Sequence, residues 1–273
     1  MHDTGAVALA PRPFFASSWP GTKPGLALFV NSGDPSDDEL VEIVRAMDEA
    51  GVGCVELAVP FPDSITDGPV IRRSARRALD RGADLPASLA LVSRLRAETS
   101  DIRIALLVDW SHSLKRLDLG EVLSDIAQAG ADAVLVHGLP PALRTDYLAA
   151  AERAALPVIS TCYHGTSSDE TVATAARDAS AYVYLVARYG RSGSPSTDAF
   201  DSIGGTIAAL RAHTTVPVTI GFGISTAADV RRVGEVGADA AIVGTAGVRA
   251  IEEGLAEGDV VASFRSFLDG LVR

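Results

Sequence analysis

The stretch Val55-Glu56-Leu57-Ala58-Val59-Pro60-Phe61-Pro62-Asp63-Ser64-Ile65-Thr66-Asp67-Gly68-Pro69 opens as a run of small and β-branched apolar residues. That is the pattern of a buried strand. One carboxylate, Glu56, interrupts the run, and Pro60, Pro62 and Asp63 end it. The loop beyond carries Asp67 just before Gly-Pro. A charge inside a buried strand must be paired, titrated to neutral or put to use. A second carboxylate on the trailing loop places two acid–base groups at one mouth. The residues alone also admit a plainer reading, with Glu56 bonded to neighbouring backbone and Asp67 serving as a turn residue.

Working outward, the same strand–loop–helix period recurs from Gly25 onward. Candidate strands are Leu26–Val30, Cys54–Val59, Ile102–Val108, Ala133–His137, Val158–Cys162, Tyr182–Ala187, Val218–Gly221 and Ala240–Val243. Between them, segments such as Asp37–Ala50, Leu85–Thr99 and Leu119–Ala129 space apolar residues three to four apart, the helical period. Eight strands alternating with helices predict an α/β fold, a single-domain (β/α)₈ TIM barrel over residues 25–273. Residues 1–24, with Pro11, Pro13, Pro20 and Pro24, predict an irregular N-terminal arm packed on one end of it. In such barrels the reactive groups sit at the C-terminal ends of the strands. Alternation turns Glu56 away from Val55 and Leu57; with those two facing the helices, Glu56 faces the barrel interior. Burial there raises its pKa, as suits a group that gives and takes a proton near neutrality.

Composition agrees. The 273 residues match the size of a parallel barrel, and 47% hydrophobic content supplies a large core. No apolar run approaches the roughly 18 residues of a membrane span, and residues 1–20 lack a basic region followed by an apolar core. Two cysteines, Cys54 and Cys162, both in predicted strands, suit packed thiols in a cytoplasmic protein. A net charge of −11 argues against nucleic acid or an anionic membrane as partner.

The last two strands end in glycine-rich turns, Gly221-Phe222-Gly223-Ile224-Ser225 and Gly244-Thr245-Ala246-Gly247. Each precedes a helix, the second beginning near Val248. Exposed N–H groups aimed by a helix N-terminus form an anion site, and the loops after strands seven and eight are the usual phosphate grip of a barrel. A third glycine-rich piece, Tyr189-Gly190-Arg191-Ser192-Gly193-Ser194-Pro195, follows strand six and suits a lid.

Taken together, these pieces resemble the tryptophan synthase alpha subunit family and its stand-alone relatives, the indole-3-glycerol-phosphate lyases. The likeness runs from about Leu26 to Leu268. It is carried by Ser32-Gly33-Asp34-Pro35, Glu56-Leu57 with Val59-Pro60-Phe61 and Asp63, Asp67-Gly68-Pro69, and Tyr182-Val183-Tyr184-Leu185. The Arg188–Gly193 lid and the two glycine-rich turns complete it. The resemblance implies a cofactor-free retro-aldol cleavage of indole-3-glycerol phosphate to indole and glyceraldehyde 3-phosphate. On it, Glu56 matches the general acid/base and Asp67 the carboxylate that holds the indole N–H. Tyr184 matches a tyrosine beside the glutamate, and Phe29 an aromatic on the indole. Gly193, Gly223, Gly244 and Thr245 match the phosphate grip, while Ser192 stands where a lid threonine meets the loop aspartate.

The departures point to how the enzyme works. After strand three, where the family has an aromatic and an amide, stand Asp109-Trp110-Ser111-His112, so Asp109 and Trp110 are candidate substrate contacts. Packing of Trp110 on the next helix is an equal reading. The family's aspartate that meets the beta subunit is replaced by Gly138, and the proline expected after Asp63 is Ser64. Retained carboxylates with altered partner positions predict a lyase that works without a beta subunit. An alpha subunit acting with one, an aldolase for another phosphorylated substrate, and a silent phosphate-binding subunit are the alternatives. His112, His137 and His164 follow successive strands, and with Asp109 they are the metal candidates. Without short ligand spacing they are read as locally bonded, so neither metal nor cofactor is expected. Lys23 and Lys115, the only lysines, lie outside the strands and do not suit a Schiff base.

Overall fold

The computed structural model describes residues 14–15, 24–187, 200–221 and 223–273. Its strands are β1 (Gly25–Asn31), β2 (Cys54–Ala58), β3 (Arg103–Asp109), β4 (Ala133–His137), β5 (Ile159–Tyr163), β6 (Tyr182–Val186), β7 (Val218–Gly221) and β8 (Ala240–Val243). All pair in parallel, in the order β4-β3-β2-β1-β8-β7-β6-β5. The wall comes round between β4 and β5 through one isolated bridge, Val134 to Val158, beside a 2.9 Å bond from the Val134 N–H to the Pro157 carbonyl. This is the (β/α)₈ barrel that the alternation predicts.

Among the described residues the helices are α1 (Asp37–Glu49), α2 (Pro69–Asp80), α3 (Leu85–Glu98), α4 (Leu119–Gln128), α5 (Arg144–Arg153), α6 (Asp169–Asp178), α7 (Phe200–Arg211), α8 (Ala227–Glu235), α9 (Thr245–Glu257) and α10 (Val260–Val272). Two features differ from the periodicity. Residues 69–80 form α2 immediately after the Asp67 loop, with Pro69 at the first helical position, where its missing N–H costs nothing. Only Ile71, Ser74 and Ala78 of α2 are buried, so four arginines mask its apolar stripe. Similarly, α9 starts at Thr245 rather than near Val248, because Thr-Ala-Gly carries no periodic signal.

Two apolar layers hold the wall. Outside, Leu28, Leu57, Leu106 and Ile220 meet the helices. Inside, the small residues Ala27, Cys54, Ala105, Ala133 and Ala240 pack in one cluster with the large buried ring of Tyr182. Phe14 and Phe15 close the barrel floor, their rings 5.1 and 5.3 Å from that of Tyr182. A side chain at Gly25 or Gly53 would begin 3.2 Å from Phe15, so these two glycines admit the aromatic pair. Apart from Pro24, the rest of the predicted arm lies outside the described residues. Both cysteines are buried free thiols. Among the described residues no helix is long and apolar enough to cross a membrane.

Candidate active site

At the C-terminal mouth of the strands lies a cavity of about 500 Å³. Phe29, Glu56, Asp67, His137, Tyr184 and Thr245 are among its walls. Glu56 reaches it from the middle of β2 and is only 1% exposed. Burial pushes its carboxyl up to about 7, a rise held back by the hydrogen bond it accepts from Tyr182. The Tyr182 phenol donates to Glu56 Oε1 at 2.6 Å. Sequence reasoning passed over Tyr182 in favour of Tyr184. Yet two tyrosines two apart on a strand share a face, and that signal was available.

Tyr184 stands one step nearer the mouth and lines the cavity. Burial raises its phenol well above the ordinary range, and the negative charges of Glu56 and Asp67 raise it further. It therefore lies within electrostatic reach of both acids. Its ring occupies the space above Gly221: a Cβ there would fall 2.4 Å from the phenol oxygen.

Asp67 comes from the loop between β2 and α2. Burial raises its pKa, opposed by the Ser64 hydroxyl beside it and by His137 and Arg72. The loop is held through α2. Asn31, at the end of β1, donates to Ser74 Oγ at 3.0 Å. Fully buried Asp34 takes a forked pair from Arg77 at 2.8 and 2.7 Å, and a third bond from Arg81 at 3.2 Å. Arg77 and Arg73 also bind Glu252 on α9, at 3.0 Å and at 2.8 and 2.7 Å. The loop carrying one acid is thus tied to the helix that follows β8.

The two glycine-rich turns differ. Gly223 has φ +80°, a backbone conformation that favours glycine. The helix after it is already capped: Asp229 accepts from the backbone N–H groups of Ser225 and Thr226 at 3.0 and 2.9 Å. Helix α9 has Gly244 at its N-cap and no side-chain cap, and both Gly244 and Thr245 line the cavity. Of the two N-termini, α9 offers the open set of N–H groups.

Several candidates fall elsewhere. Asp109 caps a π-helical turn, Trp110–Leu114, accepting from the His112 N–H at 3.0 Å and lying 2.7 Å from its Nδ1. Trp110 packs against the apolar layer outside the wall. Neither is among the described residues that line the cavity. The three histidines separate: His112 stacks on Phe61, His137 lines the cavity, and His164 bonds Thr206 and Ser202. Among the described residues no group of three or more His, Cys, Asp and Glu is placed to hold a metal ion. Ser192 and Gly193, with the rest of the proposed lid, and Phe222 lie outside the described residues.

A parallel barrel with a raised-pKa carboxyl, a second acid and an open helix N-terminus around one mouth has the layout of a barrel enzyme. Comparison with known proteins says which. The pattern of the family described as "Tryptophan synthase alpha chain" matches residues 15–267. The tryptophan synthase alpha chain of Burkholderia ambifaria is 37% identical over 265 residues, covering 95% of this chain and 96% of that one. That of Burkholderia mallei is 35% identical over 255 residues, covering 91% and 93%. A variant of the tryptophan synthase alpha-subunit of Pyrococcus furiosus superposes with a TM-score of 0.81 at 25% identity, covering 92% of this chain and 98% of that one. The chain belongs to the tryptophan synthase alpha chain family. It is an enzyme, a carbon–carbon lyase as the resemblance implies.

Proposed function

We propose that this cavity cleaves indole-3-glycerol phosphate into indole and glyceraldehyde 3-phosphate, and does so without a beta subunit. The observation that carries the reading is that Glu56, Asp67 and the uncapped start of α9 line one cavity. Protonated Glu56 delivers its proton to indole C3, which turns the ring into a cationic indolenine. Asp67 accepts the ring N–H and stabilises that charge. Glu56, now a carboxylate, takes the proton of the hydroxyl next to the ring. The electrons of the breaking C–C bond flow back to the indole nitrogen as the aldehyde forms. The carboxyl ends protonated as it began. A carboxyl with a pKa of about 7 suits both halves of this exchange. Tyr184 borders both acids, and Phe29 supplies apolar wall. Gly244 and Thr245 hold the phosphate end with backbone N–H groups and a hydroxyl, and Gly223 adds its turn. On the family resemblance Ser192 serves the loop aspartate and Gly193 the phosphate, while Asp109 and Trp110 stand away from the cavity.

Independence of a beta subunit rests on two positions that depart from the family. Ser64 is buried, its hydroxyl beside the Asp67 carboxyl, so it serves the site rather than a partner. Gly138 sits at φ +68° and has no side chain to offer across an interface. The test is to incubate the lone protein with indole-3-glycerol phosphate and follow indole. Steady release is expected, with Glu56→Gln and Asp67→Asn each at least about 100-fold slower. Equal rates in parent and variants would refute the roles. Release only after a beta subunit is added would assign the chain to a two-subunit enzyme. Phosphate-ester binding without any cleavage would favour another substrate or a silent binding subunit.

A further inference from the structure

The proposed substrate carries a phosphate, and the chain it must enter has a net charge of −11. The cavity wall itself holds Glu56 and Asp67. An uncapped helix N-terminus offers only partial charge against that field. Among the described wall residues there is one arginine, Arg249, and no lysine. It lies four residues beyond Thr245 on α9, hence on the same face, and helical side chains lean toward the N-terminus. Arg249 is exposed, and among the described residues it makes no ion pair, whereas Arg73 and Arg77 are committed to Glu252. We infer that Arg249 is a binding residue for the phosphate, a full positive charge that selects phosphorylated over neutral ligands at the start of α9. This rests on the phosphate reading of the α9 turn.

The test compares indole-3-propanol phosphate, which lacks the hydroxyl needed for cleavage, with the same compound lacking its phosphate. The dissociation constants of both are measured for the parent, Arg249→Ala and Arg249→Lys at low and high salt. Arg249→Ala should weaken the ester roughly tenfold, the size of one charge-assisted contact. It should flatten the salt dependence and leave the alcohol's affinity alone. Arg249→Lys should recover part of the loss. If the parent prefers the ester and Arg249→Ala keeps that preference to within about twofold, the inference is overturned while the phosphate site stands. If the parent shows no preference for the ester, the phosphate site falls and the role of Arg249 with it.

Discussion

The phenol of Tyr182 donates a 2.6 Å hydrogen bond to Glu56 Oε1 from the far side of the barrel interior. A donor to the charged form lowers a carboxyl's pKa, so this contact restrains the upward push of burial. In Tyr182→Phe the pKa of Glu56 should rise beyond about 7. In the proposed mechanism the reaction starts from protonated Glu56, so kcat/KM should fall as pH rises through that value. The falling limb of the profile should move to higher pH in Tyr182→Phe, at a cost of about 1 kcal/mol in stability. A limb that stays in place, or moves down, would break the link between this bond and the catalytic proton.

The same carboxyl predicts a pH-dependent stability. The folded protein keeps the Glu56 proton up to about 7, whereas the unfolded chain releases it near 4.5. Between those values unfolding releases a proton, so this group makes the protein less stable as pH rises. Below 4.5 both states are protonated and the penalty vanishes; above 7 it is complete, on the order of 3 kcal/mol. Glu56→Gln lacks the charge and still accepts from Tyr182. Urea unfolding should show the variant gaining on the parent between about pH 5 and about pH 8. A constant difference across that window would argue against a buried, raised carboxyl.

Gly221 tests the placement of Tyr184. An added Cβ would lie 2.4 to 2.7 Å from the phenol oxygen, Cε2 and Cζ, and an aromatic ring cannot bend away as a flexible chain would. Gly221→Ala should therefore cost about 1–3 kcal/mol. Removing the ring should relieve the clash, so Gly221→Ala should be much less harmful in a Tyr184→Ala background. Additive losses in thermal unfolding would place the ring elsewhere.

Asp34 and Glu252 fasten the Asp67 loop through one row of arginines, Arg73, Arg77 and Arg81, with Arg77 bonded to both acids. Asp34→Asn leaves the partly exposed Arg77 and Arg81 short of a buried charge, at a cost of about 2 kcal/mol. Indole release should fall with it, because α2 carries the loop. The Arg73 and Arg77 guanidiniums hold the Glu252 carboxyl down at about 2. Its contribution is present above 4.5 and is lost as pH falls toward 2, so Glu252→Gln should unfold with a shallower acid dependence over that range. An unchanged acid slope would show that the pair adds nothing.

The barrel was legible because apolar strands alternate with helix periods along the chain, and alternation put Glu56 on the face opposite Val55 and Leu57. What stayed hidden was carried by contacts across the chain. Asp34 and Arg77 lie 43 residues apart, so no local pattern announces their pairing. The arginine-rich surface of α2 concealed a helix, and the start of α9 was obscured by Thr-Ala-Gly. Asp109 reads as a free acid after a strand, yet its carboxylate is engaged by His112, three residues on. Tyr182 shows the reverse case: two residues from Tyr184 on one strand, it shares that residue's face by alternation.

The single Val134–Val158 bridge gives the cylinder a seam. Either side of it, His137 on β4 and Thr161 on β5 line the cavity, where few backbone hydrogen bonds join the two strands. Amide protons along β4 and β5 should exchange faster than those of the fully laddered β1 and β2. A ligand that spans from the β2 acids to the β8 turn should leave that contrast in place, because it staples the side of the barrel away from its zip.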